Sequence, residues 1–564
     1  MREFSLPALY EVPADGNLTD LIQRNATQHP DVAVVGRKVD GRWEDVTAAD
    51  FLAEVRAAAK GLIAAGVSAG DRVGLMSRTR YEWTLLDFAI WSAGAITVPV
   101  YETSSPEQVQ WILSDSGAVA VLVETGVHEA AVESVRDTLP ELKHVWQIED
   151  DAIGTLRTLG SDVKDETVDE RSSLANADSP ATIVYTSGTT GRPKGCVLSH
   201  RSFFAECGNA VARLKPIFAT GDSSVLLFLP EAHVFGRLVE ICAVLAPIKL
   251  GHVSDIKTLT DELAAFQPTL VLGVPRVFEK VYNSARAKAQ AEGKGKIFDK
   301  AADAAIGRLA PRTTHLRAPA GRSGSATSTR GIGFTVLEGY GLTESCAATT
   351  FNPWDRQKIG SVGQPMPGSV VRIADDGEVM LHGDHLFTEY WNNEAATAEA
   401  LADGWFHTGD VGTLDEDGYL TITGRKKEII ITAGGKNVAP AVIEDRIRAH
   451  ALVAECMVVG DGRPFVGALI TLDEEFLPRW AAEHGKPAGA TAADLREDAD
   501  LLAEIQTAVD DGNAAVSKAE SVRKFRVLTQ QFTEDSGHVT PSLKLKRNVV
   551  AKDFATEIEA LYGG

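Results

Sequence analysis

The chain has 564 residues, more than one ordinary hydrophobic core accommodates, so at least two domains are expected. Hydrophobic residues make up 44% and charged residues 24%, a globular composition, and 56 Lys and Arg against 78 Asp and Glu leave a formal charge of −22. That balance argues against non-specific binding to nucleic acid or to an anionic membrane, and leaves room for a local basic pocket around an anionic substrate.

The opening stretch, MREFSLPALYEVPADG, has no apolar core of the secretory-signal type. No apolar run reaches the roughly 18 residues of a membrane-spanning helix, so any contact with a membrane is expected to be peripheral. Residues 50–65 carry apolar side chains at helical spacing, and Gly66 stops the run. GDRVGLMS then reads as a turn and a strand, WTLLDFAIWSAGA as a buried helix and ITVPVY as a strand. AVAVLVE and, further on, TLVLGVP repeat the short buried-strand pattern. The alternation predicts an α/β fold with largely parallel sheets. Cys196, Cys207, Cys242, Cys346 and Cys456 stand singly without a CxxC pair, so neither a disulfide framework nor a zinc site is expected, and a reducing cytoplasm is.

The densest chemical signal is YTSGTTGRPKGCVLSH, residues 185–200, behind the strand-like IVY. Gly188 and Gly191 let the backbone approach phosphate oxygens. Thr186, Ser187, Thr189 and Thr190 add hydroxyl donors, and Lys194 adds a positive charge. This is a phosphate-cradling pattern without being a Walker A motif, because Gly195 follows the lysine where Ser or Thr would be required. Residues 307–330, GRLAPRTTHLRAPAGRSGSATSTR, break the patterning with neither strand nor helix periodicity. EGYGLTES (338–345) and HTGD (407–410) follow. A domain boundary is expected near GYLTITGRKKEIIITAGGKNVAP (418–440), with a small α+β unit after it that ends in a polar loop and the basic stretch 544–547.

TSGTTGRPKG resembles the signature of the adenylate-forming superfamily, which comprises acyl-CoA synthetases, adenylation domains of peptide synthetases and luciferases. EGYGLTES, HTGD, GRKKEIIITAGGKNVAP and TPSLKLKR are similar to the family's further motifs and stand in the family's order. LPEAHVFGR (229–237) and the GRKKEIIITAGGKN variant resemble bacterial long-chain fatty acyl-CoA ligases. The resemblance implies an α/β protein with a large N-terminal domain (1–424) of mixed and parallel sheets that binds ATP and the acyl chain. A hinge joins it to a small, mobile α+β domain (425–564) carrying the catalytic lysine. It implies that a fatty acid, ATP and CoA become acyl-CoA, AMP and pyrophosphate through an acyl-adenylate, with Mg²⁺ as cofactor. A homodimer is the commonest assembly on general grounds.

Residue by residue, the resemblance implies a face for adenine at Tyr340, with Gly339 and Gly341 permitting a tight loop. Thr343 would donate to the α-phosphate, and Glu344 is a hard oxygen ligand suited to Mg²⁺. Asp410 and Arg425 would reach the ribose. Lys427 falls at the hinge position, where many relatives carry Asp. Lys544 matches the C-terminal catalytic lysine, with Lys546 the competing assignment, and His233 matches a position near the acyl carboxylate. Gly434, Gly435 and Lys436 would form the face that turns in toward CoA. Relatives carry an SGGAPL-like loop and an RLGHF helix where residues 307–330 stand. Out of frame, one codon choice for GRSGSATSTR reads Ala-Lys-Arg-Leu-Gly-His-Phe-Tyr, which points to a compensated frameshift and to irregular structure there. Two alternatives follow: transfer of the acyl group to a carrier protein in place of CoA, and a crippled nucleotide-binding relative.

Overall fold

The computed structural model describes residues 2–186, 192–215, 217–273, 277, 286, 289, 292–298, 300–301, 337–534, 536–540 and 544–563. Ser187, Gly188, Thr189 and Thr190 of the glycine-rich loop, and residues 307–330, for which irregular structure is expected, lie outside the described residues. The buried apolar clusters fall into two sets, one within residues 18–420 and the other within residues 430–561. The chain therefore builds two cores, as its length requires.

The larger domain is organised around a seven-stranded sheet. In spatial order its strands are Glu389–Tyr390, Lys194–Ser199, Pro180–Thr186, Ile96–Val100, Arg72–Met76, Ala118–Val123 and His144–Gln147. From Pro180–Thr186 onward they run parallel, whereas Lys194–Ser199 and Glu389–Tyr390 each pair antiparallel with their neighbour. The helix Ala48–Ala64 starts where Thr47 accepts the amide of Asp50, and the chain leaves it through Gly66 at φ 91°. The helix Tyr81–Ser92 is buried at every residue except the half-buried Glu82, which explains its apolar character on every face.

A four-stranded sheet runs Ser224–Leu227, Lys249–His252, Ala33–Val39, Arg42–Thr47. A six-stranded sheet contains Arg2–Ser5, Val370–Ile373, Glu378–His382, Trp405–Leu414, Leu401–Ala402 and Leu420–Arg425, all antiparallel. The expectation of largely parallel sheets therefore holds for the central sheet and fails for this one, whose strands are joined mostly by short turns that reverse direction. TLVLGVP is a second correction. Residues 269–273 make only an isolated bridge, Leu270 to Val225. The Ser224 amide donates to Thr269 Oγ1 at 2.9 Å and the Thr269 amide to the Ser224 carbonyl at 3.0 Å, so the segment is pinned at the start of that strand without continuing along it.

The second domain carries a sheet of Val453–Val459, Val466–Leu472 and Val522–Val527 with helices Pro440–Arg448 and Ala499–Asn513 packed together. Among the described residues, no helix is long and apolar enough to cross a membrane.

One buried ion pair ties the larger domain together. Arg237 and Asp87 are both fully buried and meet at 2.6 Å, with Arg237 also donating to Thr182 and lying over Trp91 and Phe203. It joins the helix Val234–Leu245 to the helix Tyr81–Ser92 and to the central sheet. Removing one member of such a pair leaves an uncompensated buried charge. Arg237→Met is therefore expected to lower unfolding stability by about 3–5 kcal/mol, and Arg237→Met with Asp87→Leu to recover most of the loss, in urea unfolding followed by tryptophan fluorescence.

Candidate active site

The strand pair Trp405–Leu414 and Leu420–Arg425 sets Asp410 directly opposite Arg425. Asp410 is buried; Arg425 Nε lies 2.8 Å from its Oδ1, and the Tyr340 hydroxyl donates to its Oδ2 at 2.6 Å. Burial first, and the Asp410 charge second, push the Tyr340 phenol well above its usual range, so it stays a donor. Tyr340 comes from the short strand Gly339–Tyr340, which pairs with Thr350–Phe351. After it the backbone turns so tightly that a Cβ on Gly341 would stand 1.4 Å from the Ala347 carbonyl oxygen. Cys346 and Ala347 both adopt positive φ, 52° and 88°, in this turn. Strain of that kind, of order 1–3 kcal/mol per residue, persists where the surroundings over-determine the loop. Thr343 and Glu344 sit in the single 3-10 turn Thr343–Ser345 at its tip.

Thr186 ends one strand and faces Lys194, the first residue of the next, across the hairpin. The Lys194 ammonium stands 4.9 Å from the ring centre of Tyr390, and the Tyr390 hydroxyl donates to Glu344 Oε1 at 2.8 Å. Lys194, Tyr390 and Glu344 thus form one connected group. Among the described residues no cluster of three or more metal-ligating side chains exists. A cation here would use the Glu344 carboxylate and take its other oxygens from a ligand and water, the coordination habit of Mg²⁺.

His233 caps the helix Val234–Leu245, its Nδ1 accepting the Phe235 amide at 3.1 Å. Burial, and secondarily the Lys544 charge, push its pKa down to about 4. The ring is therefore neutral near pH 7 with its proton on Nε2, the atom left to act as a donor. Glu231, fully buried two residues earlier, accepts the Thr84 hydroxyl at 3.0 Å and the Arg80 amide at 3.2 Å, which anchors this turn to the start of the helix Tyr81–Ser92.

Lys544 belongs to the second domain, and its position is held by the backbone. Its amide donates to Thr540 Oγ1 at 3.0 Å, its carbonyl accepts the Thr540 amide at 2.9 Å, and Val539 bridges Leu545. Desolvation and the Arg425 charge lower its pKa, while Glu344, Asp410 and Glu428 pull it back up. The structure thus brings Lys544, Arg425, Asp410, Tyr340, Glu344 and His233 into one electrostatic neighbourhood. Lys546 lies a residue beyond the bridge and its amide binds the His538 carbonyl.

Lys427 is exposed in the 3-10 turn Lys426–Glu428. Gly434 and Gly435 form an exposed turn, Gly435 at φ 74°, and Lys436 pairs with Glu520 at 3.4 Å. These residues stand apart from the group around Asp410 in the contacts they make. Sequence reading missed Glu378, Lys426 and Tyr390. Glu378 accepts the Gly409 amide at 2.8 Å, binds His407 at 3.2 Å and pairs with Lys426 at 2.8 Å, and Lys426 also reaches Asp376 at 2.6 Å. The HTGD segment and the residue before Lys427 therefore share one carboxylate. The GEV triplet around Glu378 held no distinctive spacing that would have revealed it.

Residues 22–391 match the model of the AMP-binding enzyme family, and residues 427–564 that of the AMP-binding enzyme C-terminal domain. A Mycobacterium bovis protein named long-chain-fatty-acid–CoA ligase FadD15 is 47% identical across 598 aligned positions covering 100% of both chains. Its Mycobacterium tuberculosis namesake is 46% identical with the same coverage. The alignment is longer than the 564 residues of this chain, so these relatives hold residues that it lacks. Among solved structures, O-succinylbenzoate CoA synthetase (MenE) of Bacillus subtilis, in complex with ATP and magnesium ion, superposes with a TM-score of 0.69 at 21% identity. That match covers 94% of this chain and 98% of the other, and at this identity it speaks for the fold.

His233 yields a test independent of any ligand. Its pKa is about 4 in the folded protein and near 6.5 when unfolded, so below pH 6.5 the unfolded chain takes up a proton that the folded one refuses. Its contribution is complete above pH 6.5 and is lost as the pH falls toward 4; His200 and His385, both pushed down to about 3, act in the same direction. The melting temperature is expected to drop across that window. His233→Asn, which keeps an acceptor at the helix start, should flatten part of the slope in a pH series of thermal melts.

Proposed function

The chain belongs to the AMP-binding enzyme family, and from that premise we propose that it is a long-chain fatty acid–CoA ligase working through an acyl-adenylate. The observation that carries the reading is the presence of Lys544, from the second domain, within the field of Glu344, Asp410 and Arg425 in the first. Such a meeting suits the step in which carboxylate and nucleotide react.

In the first half-reaction a fatty carboxylate oxygen bonds to the α-phosphorus of ATP and pyrophosphate leaves with the electron pair of the broken P–O bond. The work of the protein is positioning and charge stabilisation. Tyr340 presents its ring to adenine. Asp410, with two oxygens and about four lone-pair sites, accepts the ribose hydroxyls while keeping Tyr340 and Arg425. Thr186 and the loop after it, Ser187, Gly188, Thr189 and Thr190, hold the phosphates together with Lys194, and Thr343 donates to the α-phosphate. Glu344 would hold Mg²⁺, which supplies neutralisation of phosphate charge when bound. His233 Nε2–H donates to the acyl carboxylate. Lys544 bridges carboxylate and α-phosphate, and the arriving anions offset the desolvation that lowers its pKa.

In the second half-reaction the thiol of CoA attacks the acyl carbon and AMP departs. The second domain turns about Lys427, which withdraws Lys544 and brings in the face made by Gly434, Gly435 and Lys436. Lys426 stays clamped to Asp376 and Glu378, so the turn begins after it. A second reading, a relative that binds nucleotide without turnover, draws support from the longer alignment of FadD15 and from the irregular 307–330 segment.

Fatty-acid-dependent pyrophosphate release from Mg-ATP separates the two. Release is expected to require fatty acid and to fall by about 100-fold or more in Lys544→Ala, with Lys546→Ala affected little. A folded wild-type protein that releases none would sink the ligase reading and favour the non-catalytic one.

A further inference from the structure

Glu344 and Lys194 carry opposite charges and approach the same region from different segments, yet among the described residues no ion pair joins them. Tyr390 stands between. Its hydroxyl donates to Glu344 Oε1 at 2.8 Å, and its ring lies 4.9 Å from the Lys194 ammonium. The carboxylate is held at the hydroxyl and the ammonium over the ring face, so one side chain engages both charges. Tyr390 itself is firmly held. It is 8% exposed, its strand pairs it with Cys196, its amide donates to Thr397 Oγ1 at 2.9 Å and the Phe387 ring lies 4.8 Å away. Burial first, and then the Glu344 charge, push its phenol upward, so the hydroxyl keeps its proton.

An ammonium and a carboxylate that share one neighbouring side chain in a partly buried site attract each other, and the attraction grows as water is excluded. Paired directly, each would lose the role the ligase reading assigns it: the lysine its phosphate and the glutamate its cation. We propose that Tyr390 is a positioning residue that keeps Lys194 and Glu344 from neutralising each other, leaving the first for phosphate and the second for the divalent cation. The inference rests on the site reading above. The hydroxyl fixes the Glu344 rotamer through a charge-assisted hydrogen bond, and the ring face holds the ammonium by a cation–π contact.

The test uses the full-length chain and Mn²⁺ as probe, its affinity measured by electron paramagnetic resonance with a saturating non-hydrolysable ATP analogue. Tyr390→Leu is expected to weaken Mn²⁺ binding by about tenfold or more, the usual scale for losing the partner of a metal ligand. Adding Lys194→Met to that variant removes the competing cation and should restore most of the affinity. A residue that merely packs the strand would show no such rescue, so a double variant no better than Tyr390→Leu overturns the proposal. Should Tyr390→Leu fail to fold, Tyr390→Phe carries the test. With an unchanged melting temperature it is expected to bind Mn²⁺ about threefold more weakly or worse, and unchanged affinity overturns the proposal. Wild-type protein that binds no Mn²⁺ with the analogue overturns it as well. Wild-type protein that binds Mn²⁺ and shows the rescue, yet releases no pyrophosphate, sinks only the ligase reading.

Discussion

The antiparallel register that sets Asp410 opposite Arg425 is the constraint on which the site depends. A slip of one residue would turn every side chain of the strand to the other face. Asp410 would then leave Tyr340, and Arg425 would leave the cleft shared with Lys544. The same strand runs straight into Lys426, so one hairpin fixes both the Asp410–Arg425–Tyr340 group and the point from which the second domain departs. Glu378 reinforces it by holding the HTGD segment and Lys426 with one carboxylate.

Rigidity on the other side of the site comes from buried charge. Arg237 and Asp87 lock the helix Val234–Leu245 against the central sheet, and Glu231 ties the preceding turn to the start of the helix Tyr81–Ser92. His233 thus projects from a frame with little freedom, and its neutrality follows from burial that its neighbours enforce. The turn after Gly341 is stiff for a different reason, since its carbonyl contact leaves no room for a side chain and its positive-φ residues are held in place by the strands around them. Buried ion pairs are weak evidence for net stability, and their value here is geometric.

The second domain answers a different demand. In the ligase reading proposed above, Lys544 serves one step and withdraws for the next, which suits an element that moves as a unit. The Thr540 amide donates to the Lys544 carbonyl, the Lys544 amide to Thr540 Oγ1, Val539 bridges Leu545, and His538 behind them binds Asp553 at 3.1 Å and Ser536 at 2.7 Å. Lys427, the hinge of the proposed reading, is exposed beside a Lys426 that pairs with Asp376.

Much of this was legible in the sequence, because it depends on local chemistry. Helical spacing over residues 50–65, the wholly apolar WTLLDFAIWSAGA run and the ordered motifs from TSGTTGRPKG to TPSLKLKR are local patterns, and local patterns reveal element type, domain count and family. TLVLGVP shows the limit, since an apolar run reads as a strand whether or not a sheet edge continues to receive it. The tertiary structure alone decided that Tyr390 stands between Lys194 and Glu344, that Glu378 serves both HTGD and Lys426, and that Tyr340 hands its proton bond to Asp410. These partners lie 46, 48 and 70 positions apart in Tyr390–Glu344, Lys426–Glu378 and Tyr340–Asp410. No residue spacing encodes such contacts, because they arise from strand register and from the packing of segments that meet only once the chain has folded.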